Sequence, residues 1–431
     1  MLIEFTFSNY RSFRDENCLS MEAAGIKMHK NILIPFGSRA FLPSAVIYGK
    51  NGGGKSNIIR AFWLAVQFIR NAQRTQHENA LVPVRPFLLD DYSRNNPTSF
   101  KFEFVVNGAR YLYGFSATRA EITNEFLYHW PKGQKAAVFR RSGQKFSFPA
   151  NGGKKRRTLI SQVIAPNQLY FSVACTMNDS ICIDAMHWFR EQVYFSRDYT
   201  DIPTQLMENS DNPEILQSIK EYAKFADVGI QDLDFDFKSL DIESDEELPD
   251  ELPDHLRNAL SQFMKALNDP SNNAEARLRM GEVRVTSFHQ GEKSSGESAL
   301  FPLELADESD GTRRLMAISP AIEQVLSSGG VFAVDEIDKG FHPILVKALV
   351  SRFQNRKTNP KQAQLIFTTH NTDFLDLDLL RRDQFYFVDK NRSSGVSSLY
   401  SVSTQTNENM TKSYLAGKYG ATPNIEIEEV E

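Results

Sequence analysis

Cysteine is nearly absent. The three residues present in 431, Cys18, Cys175 and Cys182, are too few and too scattered for a disulfide framework or a zinc site, and they fit reduced thiols in the cytoplasm. Long apolar runs are missing as well. The most apolar helical stretch, Ala61 to Ile69, is about half of the ~20 residues a bilayer span requires. No charged-then-apolar leader opens the chain, because Leu2-Ile3-Glu4-Phe5-Thr6-Phe7 already alternates like a half-buried strand. A cytoplasmic protein with no membrane association is expected. Positive charge is not in excess: 49 Lys and Arg stand against 54 Asp and Glu, a net −5. That balance argues against wholesale coating of nucleic acid but leaves room for a local basic groove. Between Ser56 and Ser309 there is no sustained heptad pattern, hence no long coiled-coil arm. No internal repeat is visible. What remains is a globular composition with enough chain for one large domain or two ordinary ones.

Against these absences stands one dense motif, Gly49-Lys50-Asn51-Gly52-Gly53-Gly54-Lys55-Ser56, which fits the phosphate-loop pattern G-x-x-x-x-G-K-[ST]. Glycines let the backbone turn consecutive N–H groups toward a polyphosphate. Lys55 supplies a point charge for the β- and γ-phosphates, and the Ser56 hydroxyl is a ligand for Mg²⁺. Pro43 to Tyr48 reads as a short buried strand. Asn57 to Val66 reads as a helix whose N-terminus faces the phosphates. Gly49, Asn51, Gly52, Gly53, Gly54, Lys55, Ser56 and Asn57 are therefore the expected nucleotide-binding residues, with ATP and Mg²⁺ as the expected ligands.

A second group of signals lies more than 250 residues downstream. Val331-Phe332-Ala333-Val334 is an apolar strand ending in Asp335-Glu336. A strand parallel to the one feeding the phosphate loop would deliver Asp335 to the Mg²⁺ shell and leave Glu336 to orient or deprotonate water. Leu365 to Thr369 is another apolar run, ending in His370. Alone, that histidine fits a structural role as well as a catalytic one. Asp373, Asp376 and Asp378 read as an acidic helix start. Ser309-Asp310-Gly311-Thr312 opens an apolar helix as an anion-binding end. Phosphate loop, Ser-x-Gly helix start, Asp-Glu and His come in the order found in ABC-type ATPases.

Between these blocks the chain changes character. Phe100, Phe102 and Phe104 alternate with polar residues, Asn107-Gly108 marks a hairpin, and Tyr111, Tyr113 and Phe115 alternate on the return. Further hairpin-like segments follow at 136–139 and 145–148. Ser239 to Asp254 is acidic and proline-bearing, a surface loop by composition, and one hairpin strand is expected around 282–288. The predicted organisation is 1–97, the N-terminal half of an ATPase head; 98–150, a β-hairpin insert; 151–300, a mixed helical insert with the acidic loop; and 301–431, the C-terminal half of the head. The fold class is α/β: an ABC-type ATPase head with a β-rich N-terminal part, inserted helical and β segments, and no long coiled coil.

The chain resembles the bacterial ABC/SMC-like ATPases of the RloA and AbiL type, a family that includes the ATPase component of the PARIS phage-defence system. The resemblance rests on Phe7-Ser8-Asn9-Tyr10-Arg11-Ser12-Phe13, on Glu308 to Arg313, on Asp335-Glu336-Ile337-Asp338 with Phe341-His342-Pro343, on Thr368 to Asn371, and on the closing Tyr414 to Pro423. It implies Glu336 as catalytic base, His370 as γ-phosphate sensor, and Asp335 with Ser56 on the metal. Ser309 and Gly311 would act in trans across an ATP-sandwiched dimer, with Asp338 in the loop crossing that interface. The Ser-Asp-Gly-Thr signature departs from the Ser-Gly-Gly of transporters, and the glutamine that such enzymes place on Mg²⁺ is not evident.

Three functions compete. The resemblance implies an ATP-driven switch or scaffold in phage defence, homo-oligomeric and controlling a separately encoded effector, most simply a nuclease, in response to a phage-encoded trigger. The 61 residues after His370 are too few for a fused nuclease of the Toprim type. A RecF-like DNA-repair or DNA-loading ATPase would need a basic face, for which Arg140-Arg141 and Lys154-Lys155-Arg156-Arg157 are candidates, though a solvated loop tip after Asn151-Gly152-Gly153 is the plainer reading of the second run. The nucleotide-binding half of a transporter is disfavoured by the β-rich insert and the lack of a membrane segment.

Overall fold

The computed structural model describes residues 1–72, 80–150, 153–196, 202–225, 229–242, 254–267, 278–402, 410–415 and 419. The chain divides into two compact units, one of residues 1–196 with 321–431, the other of residues 197–320. These divisions fall elsewhere than the expected boundaries at 97, 150 and 300.

In the first unit, β1 (Leu2–Ser8) pairs antiparallel with β2 (Asn17–Ser20). A small hairpin of β3 (Ile34–Phe36) and β4 (Arg39–Phe41) leads to β5 (Ser44–Gly49), buried at all six positions. Helix α1 (Lys55–Asn71) and the short α2 (Asp91–Asn95) follow. Then come β6 (Thr98–Val106) and β7 (Ala109–Ala117), closed by Asn107 and Gly108 at φ 50° and 73°, the left-handed pair that a two-residue hairpin turn requires. β8 (Ile122–His129), β9 (Ala136–Ser142) and β10 (Lys145–Ser147) complete a seven-stranded antiparallel sheet in the order β10-β9-β8-β7-β6-β1-β2. The strands read from sequence as an insert thus continue the sheet that starts at β1, with β6 bonded directly to it.

The inner face of this sheet lies against α1, α4 (Tyr170–Thr176) and α5 (Ser180–Glu191), after α3 (Lys154–Ser161). Alternation puts Phe5, Phe102 and Phe104 on that face. Phe104 meets Trp188 at 4.6 Å between ring centroids and Phe5 meets Phe62 at 5.1 Å. Each such ring removes some 150–250 Å² from water, which makes this the main stabilising layer of the unit. β11 (Val193–Phe195) closes this stretch.

The second unit contains α6 (Ile202–Glu208), α7 (Pro213–Phe225), β12 (Ile230–Ile242), α8 (Asp254–Leu267), β13 (Leu278–Glu292), β14 (Ser298–Glu304) and the start of α9 (Asp310–Ser328). Its three-stranded sheet runs β12-β13-β14, antiparallel throughout. Residues 239–242, the first four of the expected acidic loop, are strand. Leu233, Phe235 and Phe237 alternate with Asp232, Asp234 and Asp236 along β12, which places these acids on its polar face. Residues 243–253 lie outside the described residues. β13 is also longer than the expected 282–288.

Back in the first unit, β15 (Val331–Val334), α10 (Pro343–Gln354), β16 (Gln364–Thr368), β17 (Phe385–Lys390) and β18 (Ser397–Ser401) complete a six-stranded sheet ordered β11-β15-β16-β5-β17-β18. All neighbours are parallel except β17 and β18. Between β16 and β17 there are only two short 3₁₀ turns, Thr372–Phe374 and Arg382–Gln384. Asn371 caps the first by accepting from the amide of Asp373, and Asp376 accepts from that of Asp378. Buried Gln364 joins the two large sheets: its amide accepts from Leu2 N at 2.6 Å and donates to Leu2 O and Leu42 O, both at 3.1 Å. Tyr414 of α11 (Met410–Leu415) and Tyr419 stack on Phe387 at 5.7 and 4.7 Å. The remaining positions of the closing motif, 416–418 and 420–423, lie outside the described residues. Among the described residues α9, with 19 residues, is the longest helix, and none is long and apolar enough to cross a membrane.

Candidate functional site

Strand β5 ends where α1 begins, and the loop between them is held by the rest of the unit. Gly54 has φ 118°, and a Cβ there would lie 2.9 Å from both Ser12 Oγ and Ser397 Oγ. A Cβ on Gly49 would lie 2.7 Å from Val388 O. Gly54 therefore demands glycine on backbone angle and on space, and Gly49 on space alone. The Ser397 hydroxyl donates to Gly53 O at 2.6 Å, and Asn57 Nδ2 donates to Ser12 Oγ at 2.9 Å. Lys50 is anchored away from the loop on Asp389, 2.8 Å.

These contacts shape a cavity of about 600 Å³ lined by Lys50, Asn51, Gly52, Gly54, Lys55, Ser56, Asn57, Arg60, Glu336 and His370. Lys55 Nζ donates to Gly49 O at 2.6 Å and lies 3.5 Å from His370 Nδ1. Burial holds its pKa below the usual lysine value, while Glu336, Asp335 and Asp338 pull it upward. The site therefore holds a desolvated cation facing three carboxylates.

The parallel sheet sets the acidic side. β16 lies between β5 and β15, so its C-terminal end touches both the phosphate-loop strand and the strand ending in Asp335-Glu336. The Thr368 hydroxyl donates to Asp335 Oδ1 at 2.6 Å and accepts from the Glu336 amide at 2.7 Å. Glu336 has φ 50°, a left-handed conformation that costs an L-residue about 1–2 kcal/mol. Its Oε1 stands 3.8 Å from His370 Nε2. Asp338 Oδ2 accepts from the His370 amide at 3.3 Å, while its Oδ1 is buried without a hydrogen-bond partner.

The structure thus brings together Lys55, Ser56, Glu336 and His370, with Asp335 and Asp338 held just behind them. Ser309 and Gly311 belong to the second unit. Exposed Ser309 caps α9, accepting from Thr312 N at 3.1 Å. Before it, buried Glu308 accepts from His289 Nε2 at 2.7 Å and from the Ser287 hydroxyl. Sequence reasoning missed Arg60, although it stands four residues after Ser56 and so on the same face of α1. It also missed Ser397 and the bridging role of Thr368; the first had no local signal at all. Of the proposed basic runs, Arg141 and Arg157 are not surface groups. Arg141 is paired with Glu125 in full burial, and Arg157 grips Asp179 at 2.7 and 3.1 Å.

A glycine cradle that a Cβ would fill, a buried ammonium and a hydroxyl-held carboxylate form a donor set that fits a nucleoside triphosphate with a divalent cation. Ser56 and Asp335 are the residues that would hold the metal.

The chain is similar to a retron Vc95 probable ATPase of Vibrio cholerae serotype O1 biovar El Tor, at 21% identity over 76% of this chain and 66% of that protein. Less than two thirds of that relative is therefore spanned. Among solved structures it is similar to an SMC head bound to the C-terminal winged-helix domain of ScpA (13% identity, 94% of this chain, 98% of that one, TM-score 0.41). A second is the Smc head with an extended coiled coil bound to the C-terminal domain of ScpA, from Pyrococcus furiosus (11% identity, 97% and 98%, TM-score 0.36). Residues 44–378, from the phosphate-loop strand to beyond His370, match one family throughout, and the chain belongs to it: the AAA domain, putative AbiEii toxin, type IV toxin–antitoxin system family.

Proposed function

We propose that this protein hydrolyses ATP to ADP and phosphate and uses the cycle as a switch in anti-phage defence. The observation that carries the reading is the convergence of Lys55, Glu336 and His370 on one phosphate-loop cavity. Lys55 and the loop amides bind the phosphates. Glu336 takes the proton of the attacking water, and His370, 3.8 Å from it, fixes the carboxylate's orientation and contacts the terminal phosphate. Mg²⁺ on Ser56 and Asp335 would supply neutralisation of phosphate charge.

The reading extends to assembly. Ser309 and Gly311 at the start of α9 cap the nucleotide of a second copy, with Asp338 at the same contact, so that two subunits share two composite sites. A separately encoded effector, a nuclease in the simplest case, prefers one of the two states, and that preference couples hydrolysis to output. The retron relative's name and the AbiEii-type family support a defence setting, as does the resemblance to RloA and AbiL.

Phosphate release by the purified chain tests the core of this. Glu336→Gln is expected to lower turnover by about 10²- to 10⁴-fold while fluorescent ATP still binds. Undiminished hydrolysis in that variant would remove Glu336 from the role of base.

A further inference from the structure

The solvent face of the seven-stranded sheet divides into two chemistries. Over β1 and β6 the charges are already paired: Lys101 with Glu4 at 3.7 Å, and Arg110 and Arg39 with Glu103 at 2.5 and 3.5 Å. Over β8 to β10 the face carries rings and cations instead. Phe126, Tyr128 and Trp130 stand at alternate positions along and just past β8, hence on one side of the sheet. Gly114 pairs with Phe126 across the ladder, and a Cβ there would lie 2.5 Å from the Phe126 ring. The glycine leaves room for that ring to reach across β7.

Cations stand over the other two rings. Arg110 lies 4.1 Å from the Trp130 centroid, Lys135 4.3 Å and Arg140 5.3 Å from that of Tyr128. Lys145 joins Phe126, Tyr128 and Arg140 around a hollow of about 430 Å³. Glu125, on the rim of that hollow, is buried and engaged by Arg141, Tyr113 and the amides of Tyr170 and Phe171. Among the described residues Lys135, Arg140 and Lys145 have no carboxylate partner, and all three are exposed.

We propose that this face binds single-stranded nucleic acid, its bases stacked on Phe126, Tyr128 and Trp130 and its phosphates on Arg140, Lys145 and Lys135. Half-buried rings on a sheet are sequence-tolerant stacking platforms, and unpaired cations beside them neutralise the backbone. Alternate residues of a strand are roughly 6.6 Å apart. That is about twice the ~3.4 Å step of a stacked strand, the spacing reached when each base rests on a protein ring instead of its neighbour. A duplex hides its base faces and has no use for the rings. An acidic peptide would satisfy the cations and leave the rings idle. The net charge of −5 confines binding to this patch.

The test is fluorescence anisotropy of a labelled oligothymidylate of about 20 nucleotides, longer than the ~4–16 that one small β-fold covers. It is run on the full chain without ATP, so the outcome does not depend on the nucleotide site. Binding at about 50 mM salt is expected to weaken steeply as salt rises, and Arg140→Ala should lower the log–log slope by about 0.7. Tyr128→Ala is expected to weaken binding about tenfold or more, and Tyr128→Phe to retain it. Thermal melting checks folding. If Tyr128→Ala does not fold, Arg140→Glu with Lys145→Glu, both at exposed positions, must abolish binding instead. No binding at low salt, equal affinity of Tyr128→Ala and wild type, equal affinity for a duplex of the same length, or competition by polyglutamate as effective as by unlabelled strand would each overturn the proposal.

Discussion

Thr368 shows how much a single side chain settles here. Its hydroxyl donates to Asp335 and accepts from the Glu336 amide, so one group sets both the carboxylate proposed for the metal and the one proposed as proton acceptor, and braces Glu336 in its left-handed conformation. Thr368→Val keeps the shape and removes the hydroxyl, at a cost of about 1–3 kcal/mol for the groups left without it. ATP turnover is expected to fall about 10²-fold, as misplaced catalytic groups do, with ATP affinity changed by less than about threefold. Phosphate release and fluorescent-nucleotide titration check the two halves, and a loss of affinity equal to the loss of rate would mean that the hydroxyl serves binding alone. The glycines, Lys55 and the Asp335-Glu336 pair were legible because their chemistry is written in consecutive residues. Thr368 was visible as part of an apolar run and of the Thr368 to Asn371 motif, with no role attached to its hydroxyl. Its role depends on β16 lying between β5 and β15, which no local pattern states. Burial raises the Cys18 and Cys175 thiols to about 12, which keeps the nucleophilic thiolate scarce at neutral pH.

At the scale of elements, alternation and turn chemistry were read well: the Asn107-Gly108 hairpin, β5, α1 and β15 stand where expected. Charge was a weaker guide. The first residues of the expected acidic loop, 239–242, extend strand β12, and of the acids after His370 only Asp373 stands in a first helical turn, that of a short 3₁₀ helix. The run Lys154 to Arg157 likewise looked like a solvated tip, yet Arg157 turns inward and joins α3 to the first turn of α5 through Asp179, which also accepts from Cys182 N at 3.2 Å. Burial pushes the Asp179 pKa up, but Arg157 and the Cys182 amide outweigh it and hold the group below 3.8. A carboxyl with a depressed folded pKa contributes stability that is present above its unfolded value and lost as pH falls through the folded one. Asp179→Ala is therefore expected to destabilise the chain by about 3–5 kcal/mol at neutral pH, because buried Arg157 loses its counter-charge. The gap to wild type should narrow as the pH drops below about 4. Chemical denaturation at several pH values reads both effects, and a pH-independent gap would assign the loss to packing instead.

For the whole molecule, the decisive quantity is mass. The signature residues Ser309 and Gly311 and the phosphate loop fall in separate compact units, and the shared-site proposal requires two copies to meet. Light scattering on Glu336→Gln is expected to show an ATP- and Mg²⁺-dependent doubling that Ser309→Arg abolishes. A mass of one chain under every condition would rule out composite sites, and a constant higher mass would mean a preassembled scaffold. The ABC-type order of motifs was readable along the chain. The two-unit division was not, because compactness arises from pairings hundreds of residues apart.

Those distances have a consequence for how the protein is made. Ser397 holds the phosphate loop through Gly53 across 344 residues, and Gln364 holds Leu2 across 362. At the ribosome's ~5–20 residues per second, roughly 20 to 70 s separate synthesis of the loop from synthesis of the serine that braces it. During that interval the nascent chain carries a phosphate-loop motif that lacks its brace. An interrupted translation product ending before residue 397 would be a poor nucleotide binder, and one ending before residue 364 would also leave β5 without β16 and β17 and Leu2 without Gln364, a substrate for chaperones and proteases. The phosphate loop gains its brace only once residue 397 has been made.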